Sequence, residues 1–147
     1  MEDPFATNRL PTTEELASED DSPKEYRILV AEDSADSAVP ISLHLQEAGF
    51  QVVIASDGAE AVRVAMLTKP DLILMDISMP VLDGLAATRQ IREESAPSYI
   101  PIIAISAFST SGFLRAAHDV GFDGYLTKPI NFERLDELIK SLLPGQQ

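Results

Sequence analysis

The chain has 147 residues, 45% of them hydrophobic, which suits one domain with a sizeable core. It contains no cysteine, so disulfides and thiolate metal sites are excluded, and its net charge of −13 argues against direct binding to nucleic acid or anionic lipid, which want basic patches. No apolar stretch approaches the ~20 residues needed to cross a bilayer, and the polar start MEDPFATNRLPTTEEL is unlike a signal peptide, so a cytoplasmic location is expected.

Residues 1–25 carry eight acids (Glu2, Asp3, Glu14, Glu15, Glu19, Asp20, Asp21, Glu25) against Arg9 and Lys24, with Pro4, Pro11 and Pro23 and few apolar side chains. That composition predicts a disordered acidic tail, solubilising in the simplest reading and a partner-binding arm in the other. A single domain is expected over 26–147. From Tyr26 onward apolar runs alternate with helical patterns. YRILVA (26–31) reads as the first strand, followed by a helix over 37–48 with Ile41, Leu45 and Ala48 at helical spacing and Gly49 as its stop. QVVIA (51–55) is the second strand and 58–68 the second helix, ending before Lys69-Pro70. DLILM (71–75) precedes a helix over 83–94, PIIAIS (101–106) a helix over 110–120 closed by Gly121, and GYLT (124–127) a helix over 131–143, capped by Asn131 and stopped by Pro144-Gly145. Most of these strands are continuous apolar runs, the mark of parallel strands covered on both faces. Alternation of this kind predicts an α/β domain: a doubly wound five-stranded parallel sheet with five helices.

In such folds the functional site lies at the carboxyl ends of the strands, beside a topological switch point. The first strand runs into Glu32 and Asp33, the third into Asp76, the fourth ends in Ser106, and the fifth runs into Lys128. A lone aspartate at a strand end is usually a helix cap, a lone Lys-Pro only a turn signal. Four strand ends carrying a matched polar set are another matter. Three carboxylates gathered at one edge repel one another unless a cation neutralises them, and Mg2+ suits an all-oxygen site of this kind. Asp76 at the mouth of an apolar strand is tolerable when a metal and Lys128 balance its charge. His44 and His118 fall inside helical patterns and are expected at the surface, away from this edge.

VAEDS (30–34), LMDISMPVLDG (74–84), AISA (104–107) and YLTKPI (125–130) resemble the receiver domain of two-component response regulators. The resemblance covers about residues 26–143, and the separations agree: 43 residues from Asp33 to Asp76, 30 on to Ser106, 22 on to Lys128. It implies a flavodoxin-like sheet in the order 2-1-3-4-5. It implies that Asp76 is the phosphoacceptor, receiving a phosphoryl group from a histidine kinase or a histidine phosphotransfer protein. Mg2+ would be ligated by Asp33 directly, by Glu32 largely through water, by Asp76 and by the backbone carbonyl of Ser78. Lys128 would pair with Asp76 and then with the phosphoryl group, Ser106 would hydrogen-bond a phosphoryl oxygen, and Tyr125 would turn inward as the switch aromatic. The Lys128–Pro129 bond would be cis. The output would be a changed α4-β5-α5 face presented to an unidentified downstream protein, by a monomer or weak dimer. The chain would be a signalling phosphoacceptor, not an enzyme, beyond self-phosphorylation and autodephosphorylation.

Four features depart from the family pattern. Pro40 is acceptable only in a helix's first turn, so the first helix either starts near Ser37 or is distorted near Asp33. Ser78 replaces a larger polar side chain, and Phe108 stands where a polar residue is frequent, a change expected to slow loss of phosphate. The fourth helix, FSTSGFLRAAHDVG, is poor in charge and weakened by Gly112; Phe113 and Leu114 point about 100° apart, so both cannot be fully buried. Competing functions are weaker. An aspartate-dependent phosphatase of the haloacid dehalogenase type wants a second aspartate where Ser78 stands, and a flavodoxin-like cofactor binder wants a glycine-bearing phosphate loop where VAEDSADS stands. The leading reading is a single-domain response regulator, with a receiver from a hybrid kinase or a phosphorylation-independent scaffold as alternatives.

Overall fold

A computed structural model of the chain describes residues 25–79, 81–96, 98–107 and 111–143. Strands and helices alternate through it: β1 (Arg27–Ala31), α1 (Ala35–Glu47), β2 (Gln51–Ala55), α2 (Gly58–Thr68), β3 (Leu72–Asp76), α3 (Gly84–Ser95), β4 (Ile102–Ser106), α4 (Ser111–Val120), β5 (Gly124–Thr127) and α5 (Phe132–Leu142). All pairings are parallel, and the sheet order is β2-β1-β3-β4-β5, the flavodoxin-like arrangement expected. After β1 the chain moves outward to β2, then returns past β1 to β3. The crevice between β1 and β3 therefore opens at the carboxyl edge of the sheet.

Strands β3 and β4 are buried at every residue, which is why LILMD and IIAIS carry no polar alternation. The period of two divides their side chains between two cores. On one face Leu29, Ile73, Met75, Ile102 and Ala104 pack with Ala61, Ala65, Ile91 and Ala117 from α2, α3 and α4. On the other, Val30, Leu74, Ile103 and Ile105 pack with Ile41 and Leu45 of α1 and Leu135 and Ile139 of α5. Among the described residues, three helix starts are capped by side chains: Asp57 accepts from Glu60 N at 2.7 Å, Asp83 from Ala86 N at 2.8 Å, and Asn131 from Arg134 N at 3.0 Å.

Helix α1 corrects the sequence reading. It starts at Ala35, two residues before Ser37, with regular bonds from Ser37 N and Ala38 N to the Ser34 carbonyl. Pro40 therefore lies beyond the first turn and has no N–H to offer the Asp36 carbonyl. His44 is also less exposed than expected: it is half-buried, stacked on Phe132 at 4.5 Å between ring centroids and bonded to Asp136 at 2.8 Å, tying α1 to α5. In α4 only Ala117 is buried; Phe113 is half-buried and Leu114 is 41% exposed, in line with their divergent directions. The acidic tail through residue 24, Phe108, Thr110 and Pro144-Gly145 lie outside the described residues.

At the amino edge of the sheet Arg92 of α3 joins several loops. Its guanidinium donates to the Gly121 carbonyl from Nε and Nη2 (3.1 and 2.7 Å), to the Ile100 carbonyl at 2.6 Å and to Asp123 at 3.0 Å. It also lies 4.2 Å from the centre of the Tyr99 ring, whose hydroxyl donates to Asp123. Asp123 in turn accepts the Ile102 N–H at 2.9 Å. Among the described residues no helix is long and apolar enough to cross a membrane.

Candidate functional site

The two outer ladders each run one residue past their strands, and this is what aims the polar groups. Glu32 N donates to the Ala55 carbonyl at 2.9 Å and Lys128 N to the Ser106 carbonyl at 2.8 Å. Glu32, Asp76 and Lys128 thus keep the strand parity of Val30, Leu74 and Leu126, on the α1/α5 side of the sheet. Ser106 keeps the opposite parity, that of Ile102 and Ala104.

Asp76 is 2% exposed, and both carboxylate oxygens are engaged: Oδ2 accepts from Lys128 Nζ at 3.0 Å and Oδ1 from the Ser78 N–H at 3.0 Å. Lys128 Nζ also lies 3.0 Å from Glu32 Oε1, so one ammonium faces two buried carboxylates. Glu32 Oε2 accepts the Ser34 N–H at 3.1 Å, a contact the sequence pattern did not signal. Burial pushes the Glu32 carboxyl above its ordinary 4.5, and the nearby Asp76 adds to this, while Lys128 and the Ser34 amide pull the other way. For Lys128, burial alone would lower the ammonium pKa, but the hydrogen bond to Asp76 and the close approach of the Glu32 carboxylate outweigh that and raise it above its ordinary value. Asp33 is exposed, and Glu32, Asp33 and Asp76 bring ligand oxygens within 4.8 Å of one another.

The donor set fits a hard divalent cation. All three side chains offer oxygen, the group closest in character to what Mg2+ takes. One atom reinforces this: Glu32 Oε1 is fully buried and, although 3.0 Å from the ammonium, accepts no well-directed hydrogen bond. A buried carboxylate oxygen with unspent acceptor capacity beside two other carboxylates is what a cation site requires. Ser78 is exposed at its side chain, and its main chain is drawn to the site by the amide bond to Asp76.

Of the remaining predicted residues, Ser106 reaches the same edge and Tyr125 lies deeper, near the start of β5. Ser106 ends β4 at 1% exposure, and Tyr125 is half-buried on β5 in register with Ala104, packed against the α2-α3-α4 core. The Lys128–Pro129 peptide is cis, as the resemblance implies. A cavity of about 520 Å3 opens next to Lys128 and is lined by Asp36, Pro40, Ile41, Pro129 and Phe132. The sequence reading did not include it, because its walls come from α1 and the β5–α5 connection and only the fold brings them together.

The model of the response regulator receiver domain matches residues 28–140. The protein PilH of Pseudomonas aeruginosa is 36% identical over 119 residues, covering 81% of this chain and 98% of PilH. The transcriptional regulatory protein PrrA of Mycobacterium tuberculosis is 38% identical over 117 residues, which is 80% of this chain and 49% of PrrA; the chain spans about half the length of that relative. Among solved structures, the receiver domain of the sensor histidine kinase PA1611 from P. aeruginosa, with a magnesium ion coordinated in its active-site cleft, aligns with TM-score 0.74 and 34% identity over 81% of this chain and 98% of that one. Together with the 2-1-3-4-5 sheet and the acidic cluster at its carboxyl edge, these matches establish that the chain belongs to the response-regulator receiver family of two-component signalling.

Proposed function

We propose that this receiver accepts a phosphoryl group on Asp76 from a phosphohistidine and signals through the resulting change of surface. One observation carries the reading: a buried aspartate at the end of the central strand, bonded to Lys128 and the Ser78 amide and flanked by Glu32 and Asp33. Carboxylates as a class attack without a general base, so the step needs little beyond position and fixed charge. An Asp76 oxygen forms the bond to phosphorus as the phosphorus–nitrogen bond of the donor imidazole breaks, its electron pair leaving on that nitrogen. Bound Mg2+ would neutralise charge on the transferring oxygens, with Asp33, Glu32, Asp76 and the Ser78 carbonyl as its holders. Lys128 would keep its ammonium on the phosphoryl group once Asp76 is phosphorylated, and Ser106 would add a hydroxyl donor.

Two surfaces fit the partners. Pro40 and Ile41 of α1 line the cavity beside Lys128, and the same helix exposes the apolar residues Val39 and Leu43, a surface on which a phosphodonor would rest with its imidazole over the site. On the α4-β5-α5 side, Leu114, Phe122 and Tyr125 line a hollow of about 150 Å3, a surface that movement of Tyr125 would reshape for a downstream protein. The match along nearly all of PilH supports a single-domain regulator, and the match to a sensor kinase's receiver supports the alternative of a hybrid-kinase receiver. The chain acts as a phosphoacceptor in the cytoplasm, with no reaction on an external substrate.

Intact mass spectrometry with Mg2+ and acetyl phosphate tests the reading. We expect a phosphate adduct in the wild type that requires Mg2+ and disappears in Asp76→Asn. An adduct that survives in Asp76→Asn would move the acceptor elsewhere. No adduct from acetyl phosphate or from phosphorylated kinases would leave a phosphorylation-independent scaffold as the better description.

A further inference from the structure

The loop after Asp76 is pinned by glycines from two different helices. At its base Gly84 donates to the Ile77 carbonyl at 2.9 Å, and a Cβ on Gly84 would stand 2.3 Å from the Asp76 carbonyl oxygen. At its far end the loop rests on α2. A Cβ on Gly58 would stand 1.6 Å from the Leu82 carbonyl oxygen, 2.5 Å from its carbonyl carbon and 2.9 Å from its Cβ, all under the 3.0 Å that real Cβ atoms essentially never breach. Gly58 is the first residue of α2 and its backbone is not in the left-handed region, so its conformation does not call for glycine. Alanine there would be the better helix former. Only space explains the glycine.

Between these two points the loop is held against its own preference. Val81 has φ of 69° and is 81% exposed, an uncommon combination for a β-branched residue. Such a backbone persists where the surroundings over-determine it. Those surroundings are visible: Ile77 and Met79 are buried at 6% and 8% exposure, and Leu82 packs partly buried against the same core. Ser78 sits inside this restrained segment with its N–H on Asp76 Oδ1 at 3.0 Å.

We propose that Gly58 is a positioning residue for the divalent cation: by admitting the Leu82 carbonyl into space a side chain would fill, it sets the loop that brings the Ser78 main chain to Glu32, Asp33 and Asp76. The inference rests on the reading that these carboxylates hold Mg2+. A methyl at position 58 meets backbone, not a flexible side-chain tip, so the loop must retreat by over an ångström. Mg2+ demands near-ideal octahedral geometry, so even a fraction of that retreat carried along the loop to Ser78 weakens its hold. The coupling reaches the site from an element that contributes no ligand of its own.

The test measures Mg2+ binding by isothermal titration calorimetry on the full chain, for wild type, Gly58→Ala, Leu82→Ala and Gly112→Ala. Gly112, with nothing within 4 Å of its would-be Cβ, is the control. Urea midpoints without Mg2+ record the structural cost separately. Supporting groups around a metal typically contribute 10- to 100-fold in affinity, and a loss on that order is expected for Gly58→Ala, with Gly112→Ala unchanged. A purely structural glycine would lower the midpoint and leave the Mg2+ affinity where it was; that result overturns the proposal. If Gly58→Ala does not fold, Leu82→Ala decides: it keeps the carbonyl and Cβ that meet Gly58 but removes the side chain that packs this end of the loop on the core, loosening the loop without a clash, and wild-type affinity there also overturns the proposal. A wild type that binds no Mg2+ would instead remove the metal-site reading on which the inference stands.

Discussion

Replacing Asp76 by asparagine keeps the shape of the side chain and one of its two acceptor oxygens, enough for Lys128 but not also for the Ser78 N–H, and deletes one buried charge. The magnitude follows from three terms. Asp76 lies 3.0 Å from the Lys128 ammonium, an attraction of ~5 kcal/mol at an effective dielectric constant of about 20. Glu32 and Asp33 place oxygens within 4.8 Å of it, each a repulsion of ~3 kcal/mol on the same scale, though Asp33 is exposed and solvent cuts its share to ~1 kcal/mol. Attraction and repulsion therefore nearly cancel. What remains is the cost of desolvating a carboxylate at 2% exposure, several kcal/mol for an ion so placed. Without Mg2+, Asp76→Asn should be more stable than wild type by ~1–3 kcal/mol, which for a domain of this size raises Tm by roughly 3–10 °C. Thermal unfolding followed by circular dichroism in EDTA reads this directly. Saturating Mg2+ should stabilise the wild type through mass action and the variant much less, narrowing or reversing the gap. A lower Tm for Asp76→Asn in EDTA would refute the reasoning: the ion pair with Lys128 would then outweigh burial and repulsion together.

Three further predictions concern the same edge and its supports. Lys128→Met strands Glu32 and Asp76 without a cation and should lose ~3–5 kcal/mol by urea unfolding, with part of the loss restored by Mg2+. Because the folded Glu32 pKa lies above 4.5, its contribution to stability is present below that value and fades as pH rises through the raised one. Glu32→Gln should remove this downward component, so the stability difference between variant and wild type in EDTA should grow from pH 4.5 toward neutrality; a constant difference would contradict the shift. Arg92→Lys cannot reproduce a fork that reaches Gly121, Ile100 and Asp123 together, and should lose ~2 kcal/mol in urea while Mg2+ affinity stays at the wild-type value.

The strand runs and their polar ends were readable because both follow from one constraint: a parallel sheet covered on both faces must be apolar until it reaches its carboxyl edge. Hence β2, β5 and α2 fall where the pattern places them, and β3 shifts by one residue, losing Asp71 and gaining Asp76. The start of α1 was misread because Pro40 suggests a nearby beginning, whereas the helix absorbs it at an exposed position and starts at Ala35. The Arg92 network was invisible for a different reason. Its partners are mostly carbonyls of Ile100 and Gly121, and main-chain acceptors leave no trace in residue identity. Gly58 shows the same limit: as a letter it marks a helix start after Asp57, and only the approach of the Leu82 carbonyl reveals why alanine is not there.

Helix α4 is fastened unevenly. Its carboxyl end is closed by Gly121 at φ 113°, seated by Phe122 in the core, and tethered through the Gly121 carbonyl to Arg92. Its amino end carries exposed Ser111 and Gly112 and follows the strand that ends in Ser106. Mechanically this is a lever with its fulcrum at the end remote from Asp76. A displacement that begins near Ser106 would emerge as a tilt of the whole rod about Gly121, largest at the first turn and vanishing at the last.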